Sequence, residues 1–307
     1  MKGTPHMGES MPGVDSQLAV TGQPNSQKIP SAARQAMGLI RSLVVCYLLI
    51  GLLMWSPLYQ AVVLRPFGAD EHYDAVRKIP TCKEYFIPNA HGDKLHAWFF
   101  RIPAAKKLVI VHHGNAGNII HRMYLANAAI MCGTAVLLYD YRGYGLSTGK
   151  PSLAGLSEDG AAAYDFATGT LGFAANQIVN LGESIGTGVA CRLASTKPSA
   201  GLILQSPVAS LPAVARAGVF VFRFYPDIAF PQPHFDNLSE IARVRVPVLL
   251  LHGKKDGLVP YQHSEWLLAR ANQPKELVLF DDAGHNDMPA GSEPYQAALG
   301  KFLGSLP

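Results

Sequence analysis

The chain has 307 residues, enough to bury one large core or two modest ones. Hydrophobic residues make up 49% and charged residues only 16%, so a greasy segment is expected in addition to an ordinary core. The formal net charge is +4, carried by scattered Lys and Arg with no long basic run, which excludes nucleic acid as an expected partner.

Residues 1–35 are rich in Gly, Ser, Pro, Gln and Met and lack apolar periodicity. They read as a disordered tail. Residues 38–64 read as a transmembrane anchor. Between Arg41 and Arg65 no residue is charged, and as a helix that gap would rise roughly 35 Å, against a hydrocarbon core of about 30 Å. The densest part runs from Leu43 to Trp55, Trp55 and Tyr59 suit an interface, and Pro57 is expected to end or kink the helix. A cleaved signal peptide is disfavoured by the long preceding tail and by the lack of an A-x-A site. Lys28, Arg34 and Arg41 precede the segment; Arg65, Arg77, Lys78 and Lys83 follow it. That balance leaves the side of the membrane open. The expected location is a single-pass membrane protein.

Residues 66–307 read as one α/β domain. Strands are predicted over 84–88, 95–101, 107–112, 135–140, 177–182, 201–205, 248–252 and 276–280. The first two suit an antiparallel hairpin across residues 89–93; the later ones are continuously apolar, as strands covered on both faces should be. Helices are predicted over 119–132, 157–168, 185–195, 262–271 and 294–302. The alternation argues for a doubly wound, mostly parallel sheet. Cys46, Cys82, Cys132 and Cys191 form no C-x-x-C pair, and no His pair has zinc spacing. No disulfide or zinc site is expected.

Gly182-Glu183-Ser184-Ile185-Gly186 lies between a predicted strand and a small-residue helix. A serine hydroxyl is a poor nucleophile, and exposing it on a strained strand-to-helix turn beside a histidine activates it. Such a turn brings chain segments close together and demands glycine on both sides of the serine. A dinucleotide loop would want glycine where Cys191 stands and an acid about 20 residues on, but the next acid is Asp227. A plain structural turn remains the bland alternative. Asp256 and His285 answer it: each falls on a loop after its own predicted strand, in the order serine, acid, histidine. His285 would take and return the Ser184 proton, and Asp256 would hold the imidazole. Asp281, Asp282 and Asp287 are rival acids, and His121 and His263 rival bases. The oxyanion hole is expected from the backbone amides of Ile185 and Asn115, with Ala116 second, the last two on the glycine-rich turn after the strand ending at His112.

Together with residues 139–147, these motifs resemble the α/β-hydrolase superfamily, and more closely its membrane-anchored α/β-hydrolase-domain branch, which includes lysophospholipases and protein depalmitoylases. The resemblance covers residues from about 60 to the end. It implies serine hydrolysis of esters, thioesters or sometimes amides with no cofactor, and a structural rather than catalytic role for residues 140–147. A cap-like insert is expected at about 207–240, where Val219, Phe220, Phe222, Phe224, Phe230 and Phe235 would line an acyl pocket, meet a membrane or pack on the core. The expected activity is cleavage of acyl esters or thioesters, with a small-molecule or lipid acyl substrate and the membrane, through the N-terminal helix, as partners. A peptidase or amidase of the same fold, or a non-catalytic receptor, are the alternatives.

Overall fold

The computed structural model describes residues 31–307, so residues 1–30 of the expected tail lie outside it. The chain divides into two units, one ending at Leu48 and one running from Leu49 to Pro307. Helix α1 spans Ser31–Met54, and its most apolar stretch has a mean hydropathy of 2.2. It opens inside the segment expected as tail, because Ala32, Ala33, Arg34 and Gln35 are strong helix formers. It stops at Met54, short of the end expected at 64. Pro57 instead opens a second helix, α2 (Pro57–Val63), at the first turn, where a missing N–H costs nothing.

The domain boundary expected at 66 also falls too late. Tyr59 and Val63 pack against the core cluster that contains Leu64, Leu153 and Ile185. The Leu153 amide donates to Gln60 Oε1 at 3.1 Å. Strand β1 (Arg65–Pro66) then leads to α3 (His72–Arg77), and β2 (Cys82–Pro88) and β3 (Lys94–Phe100) form the expected antiparallel hairpin.

Next come β4 (Leu108–His112) and the short β5 (Ala116–Gly117), which pairs with β1. The helix predicted over 119–132 begins as a 3-10 turn, Ile119–Arg122, capped by Asn118, and continues as α4 (Met123–Met131). After β6 (Ala135–Tyr139), helix α5 (Leu153–Gly169) starts four residues earlier than predicted, because Ser152 Oγ accepts from the Gly155 amide at 3.0 Å. Strand β7 (Ile178–Glu183), helix α6 (Gly186–Thr196) and strand β8 (Gly201–Gln205) follow. The insert holds α7 (Leu211–Gly218), 3-10 turns at Phe220–Phe224 and Asp227–Ala229, and α8 (Asn237–Ile241). Strand β9 (Val248–Gly253), helix α9 (Gln262–Arg270), strand β10 (Lys275–Phe280) and helix α10 (Glu293–Ser305) close the chain.

The eight-stranded sheet has the order β10-β9-β8-β7-β4-β6-β3-β2. It is parallel from β10 to β6, and β3 and β2 are antiparallel to their neighbours. Alternate residues of β4 feed two cores. Val109 and Val111 share one with α4 and α10; Leu108 and Ile110 share the other with α5 and α6. Each such fully buried Val, Leu or Ile is worth about 1.5–3 kcal/mol of transfer free energy. This double cover explains the unbroken apolar runs and leaves the carboxyl edge of the sheet as the place for function.

Candidate active site

Ser184 leaves β7 with φ +52°, a left-handed backbone that a non-glycine residue adopts only under constraint. The constraint comes from packing on both sides. A Cβ on Gly182 would lie 2.6 Å from the Gly186 carbonyl oxygen, and one on Gly186 would overlap the carbonyl oxygen of His112. Helix α6 can therefore start directly under the end of β4 only with glycine at both places. The Ser184 amide donates to the Gln205 carbonyl at 3.0 Å, and its carbonyl accepts from the Thr187 amide at 3.0 Å. The Thr187 hydroxyl donates to the same carbonyl, so the turn that carries the serine hydroxyl is held on both sides.

His285, on the loop after β10, places Nε2 3.0 Å from Ser184 Oγ. Its Nδ1 lies 2.7 Å from Asp256 Oδ2, on the loop after β9. A carboxylate only accepts, so Nδ1 carries the proton and Nε2 is the free acceptor for the serine hydroxyl. Burial by itself would raise the Asp256 carboxyl. The hydrogen bonds from His252 and His285 and from the Val259 amide outweigh it and hold the group well below the usual carboxylate range. Asp256 Oδ1 accepts from the Leu258 and Val259 amides at 2.9 and 2.7 Å.

His252, the penultimate residue of β9, is a site residue that sequence reasoning missed. Its Nε2 faces Asp256 Oδ2 at 3.1 Å and the Val259 carbonyl at 2.9 Å, both acceptors, so it donates there; Nδ1 pairs with Ser264 Oγ at 2.7 Å. Asp256 is thereby gripped between two imidazoles. The spacing of histidine and acid, four residues apart across the end of a strand, was the available signal.

The rival residues are engaged with other partners. His121 pairs with Asn118 at 2.9 Å, and His263 accepts from the Ala209 amide at 3.0 Å. Asp281 and Asp282 pair with Lys254 and Lys255, each at 2.7 Å, and Asp287 accepts from the Gly284 amide at 2.5 Å.

Ile185 and Asn115, which line the same cavity as Ser184, each carry one backbone amide. Neither donates to a protein acceptor among the described residues. Unpaired amides beside a nucleophile are what an oxyanion hole requires. The Asn115 loop is held from several directions. Its carbonyl accepts from the Arg65 amide at 2.9 Å and from Tyr144 Oη at 2.8 Å. The preceding Gly114 amide donates to Glu183 Oε2 at 3.1 Å, and Arg122 Nε donates to that oxygen at 2.7 Å. Glu183 and Arg122 were also missed, since nothing local links them across the sequence.

A cavity of about 360 Å³ opens from Ser184, lined by apolar side chains including Met54, Leu58, Leu211, Val214 and Phe222, and no charged residue lines it. Of the aromatic residues in the insert, Phe230 and Phe235 are buried while Phe220 and Phe224 are exposed. Among the described residues no three His, Cys, Asp or Glu side chains gather as a metal site.

The family model described as serine aminopeptidase, S33, matches residues 103–239. An uncharacterised protein of Mycobacterium tuberculosis is 36% identical over 211 residues, covering 68% of this chain and 74% of that protein. The α/β-hydrolase domain-containing protein 17B of Xenopus laevis is 31% identical over 226 residues, covering 72% and 74%. Among solved structures, an esterase of Pyrococcus furiosus superposes with a TM-score of 0.66 at 22% identity, over 79% of this chain and 97% of that one. That last likeness concerns the fold; the sequence relatives carry the family. The chain is a hydrolase that belongs to the α/β-hydrolase superfamily, in its α/β-hydrolase-domain-containing branch.

Proposed function

We propose that the protein is a membrane-anchored serine hydrolase that cleaves acyl esters or thioesters. The observation that carries this reading is the unbroken relay from Ser184 Oγ through His285 to Asp256, with contacts of 3.0 and 2.7 Å, at the mouth of an apolar cavity.

The chemistry runs in two halves. Ser184 Oγ attacks the acyl carbonyl carbon while His285 Nε2 takes its proton. The negative oxygen of the tetrahedral intermediate settles on the Ile185 and Asn115 amides. The intermediate collapses, the C–O or C–S bond breaks, and His285 gives the proton to the departing alkoxide or thiolate. The acyl group is left on Ser184. Water then attacks that ester with His285 as base, releasing the acid and restoring the serine. Asp256, ionised throughout, offsets the charge on the imidazolium.

The anchor reading rests on α1, 24 residues long, with its most apolar window almost wholly uncovered by protein. In that reading α1 replaces the expected span 38–64, and residues 49–307 form the catalytic unit. The matched family model's name points to a second reading, an aminopeptidase. A peptide's ammonium end wants a carboxylate, and the cavity offers none among its lining residues. The acyl reading is therefore preferred.

The test is hydrolysis of p-nitrophenyl acetate and butyrate by the full chain, beside Ser184→Ala. The variant is expected to lose several orders of magnitude in kcat and to lose labelling by a fluorophosphonate. Wild-type turnover in Ser184→Ala would sink the reading. A pelleting assay after carbonate wash checks the anchor; recovery in the soluble fraction would remove it.

A further inference from the structure

The cavity beside Ser184 is not built by the sheet and its insert alone. Ile50, Leu53 and Met54 at the end of α1, and Leu58, Val62 and Val63 of α2, line it. By sequence these residues are the tail of an apolar span. In the fold they belong to the compact catalytic unit. The same segment is tied by backbone groups to the candidate oxyanion loop. Asn115 Nδ2 donates to the Val63 carbonyl at 2.6 Å, and Asn118 Nδ2 donates to the Gly68 carbonyl at 2.8 Å. The Phe67 amide donates to the Gly117 carbonyl at 3.0 Å. These bonds fix where α2 stands relative to Ser184, so the wall it supplies is part of a built site.

We propose that this cavity holds one unbranched acyl chain of about a dozen carbons, and that residues 50–63 are the wall that selects its length. The proposal rests on the acyl-hydrolase reading above. The occupant follows from the lining and the size. The walls are apolar and uncharged, which excludes a polar acyl group. At roughly the 30 Å³ that a water, or a methylene of similar size, takes in a liquid, about 360 Å³ accommodates about twelve chain carbons. Asn115, Ile185 and Ser184 all line this cavity, so an acyl group bound at the nucleophile has its tail in the groove.

The experiment uses the full chain in lipid nanodiscs and p-nitrophenyl acetate, butyrate, octanoate, laurate and palmitate. The expected kcat/KM rises with chain length, by at most about fourfold per methylene, and levels off near laurate. Leu58→Trp and Val62→Trp each add bulk to the wall at positions that are exposed in α2, so folding should tolerate them; circular dichroism checks that. Each is expected to lower the laurate-to-acetate ratio of kcat/KM about tenfold or more. Met54→Ala, which opens the wall, is expected to raise the palmitate-to-laurate ratio. A flat length profile, with acetate still cleaved in a Ser184-dependent way, overturns the groove and leaves the hydrolase reading standing. Tryptophan variants that lower acetate and laurate equally also overturn it. No cleavage of any ester, with no labelling of Ser184, overturns the hydrolase reading and this proposal together.

Discussion

Replacing Glu183 by alanine should damage stability and the candidate oxyanion loop together. Its carboxylate accepts from the Gly114 amide at 3.1 Å and from Arg122 Nε and Nη2 at 2.7 and 3.4 Å. The two side chains are only 12% (Arg122) and 6% (Glu183) exposed. Alanine leaves a guanidinium buried without its counter-charge, which costs about 3–5 kcal/mol. It also strands the Gly114 amide, a further 1–3 kcal/mol or so. The two losses share one partner and overlap, so about 4 kcal/mol is expected. That is a large part of the 5–15 kcal/mol typical of a folded domain. Urea unfolding at pH 7, followed by tryptophan fluorescence, measures it. Glu183→Gln keeps an acceptor for the amide and should lose less. Adding Arg122→Met to Glu183→Ala removes the stranded charge and should recover a substantial part of the loss. A loss below about 1 kcal/mol, the value of an exposed pair, or no recovery in the double variant, would refute the reasoning.

Asp256→Asn should leave the fold intact but present His285 with the wrong tautomer, lowering kcat about 10⁴-fold, the size reported for other triads; a loss under tenfold in ester hydrolysis would contradict the role given to Asp256. His112 is wholly buried between Tyr139 and Asn180, and burial pushes its imidazole down to about 4. The unfolded chain, with a value near 6.5, binds the proton first. Stability is therefore full above about 6.5 and falls as pH drops toward about 4, by up to about 3 kcal/mol from this group. Urea midpoints at neutral and mildly acid pH should separate less in His112→Gln than in wild type, and equal separation would count against it. Gly186→Ala forces a methyl onto the His112 carbonyl and should give poorly folded, inactive protein; a soluble variant with wild-type turnover would show that the elbow is looser than described.

The parts of the site that were legible in the sequence share one property: each announces itself within a few residues. Gly182, Ser184 and Gly186 form a local pattern, and Ser184 stands in it at φ +52°. Asp256 and His285 lie just past apolar runs, and in a parallel sheet the strand ends share an edge, so order alone brings them near Ser184. The hairpin of β2 and β3 was equally local. Glu183 and Arg122 were not legible, because the 3-10 turn that carries Arg122 meets the end of β7 only in the fold, 61 residues apart in the chain. His252 looked like the end of a buried strand, which it also is. The hardest to read was α2. Apolar residues on an exposed helix and apolar residues facing a cavity give the same sequence, and only the fold separates Leu58 as cavity wall from Leu48 on the exposed length of α1.

The brace between Val63 and Asn115 bears on how the chain can be cut and recombined. A graft that exchanges the span up to Leu48 alters only the unit outside the compact domain and should be neutral to chemistry. One that exchanges it through Leu64 also replaces one wall of the cavity and the segment on which Asn115 is braced. The seam at which the first helix and the rest of the chain can be exchanged therefore lies near residue 48. Soluble versions meant for inhibitor screening should start there, because a start at 66 would present inhibitors with a groove that has lost a wall.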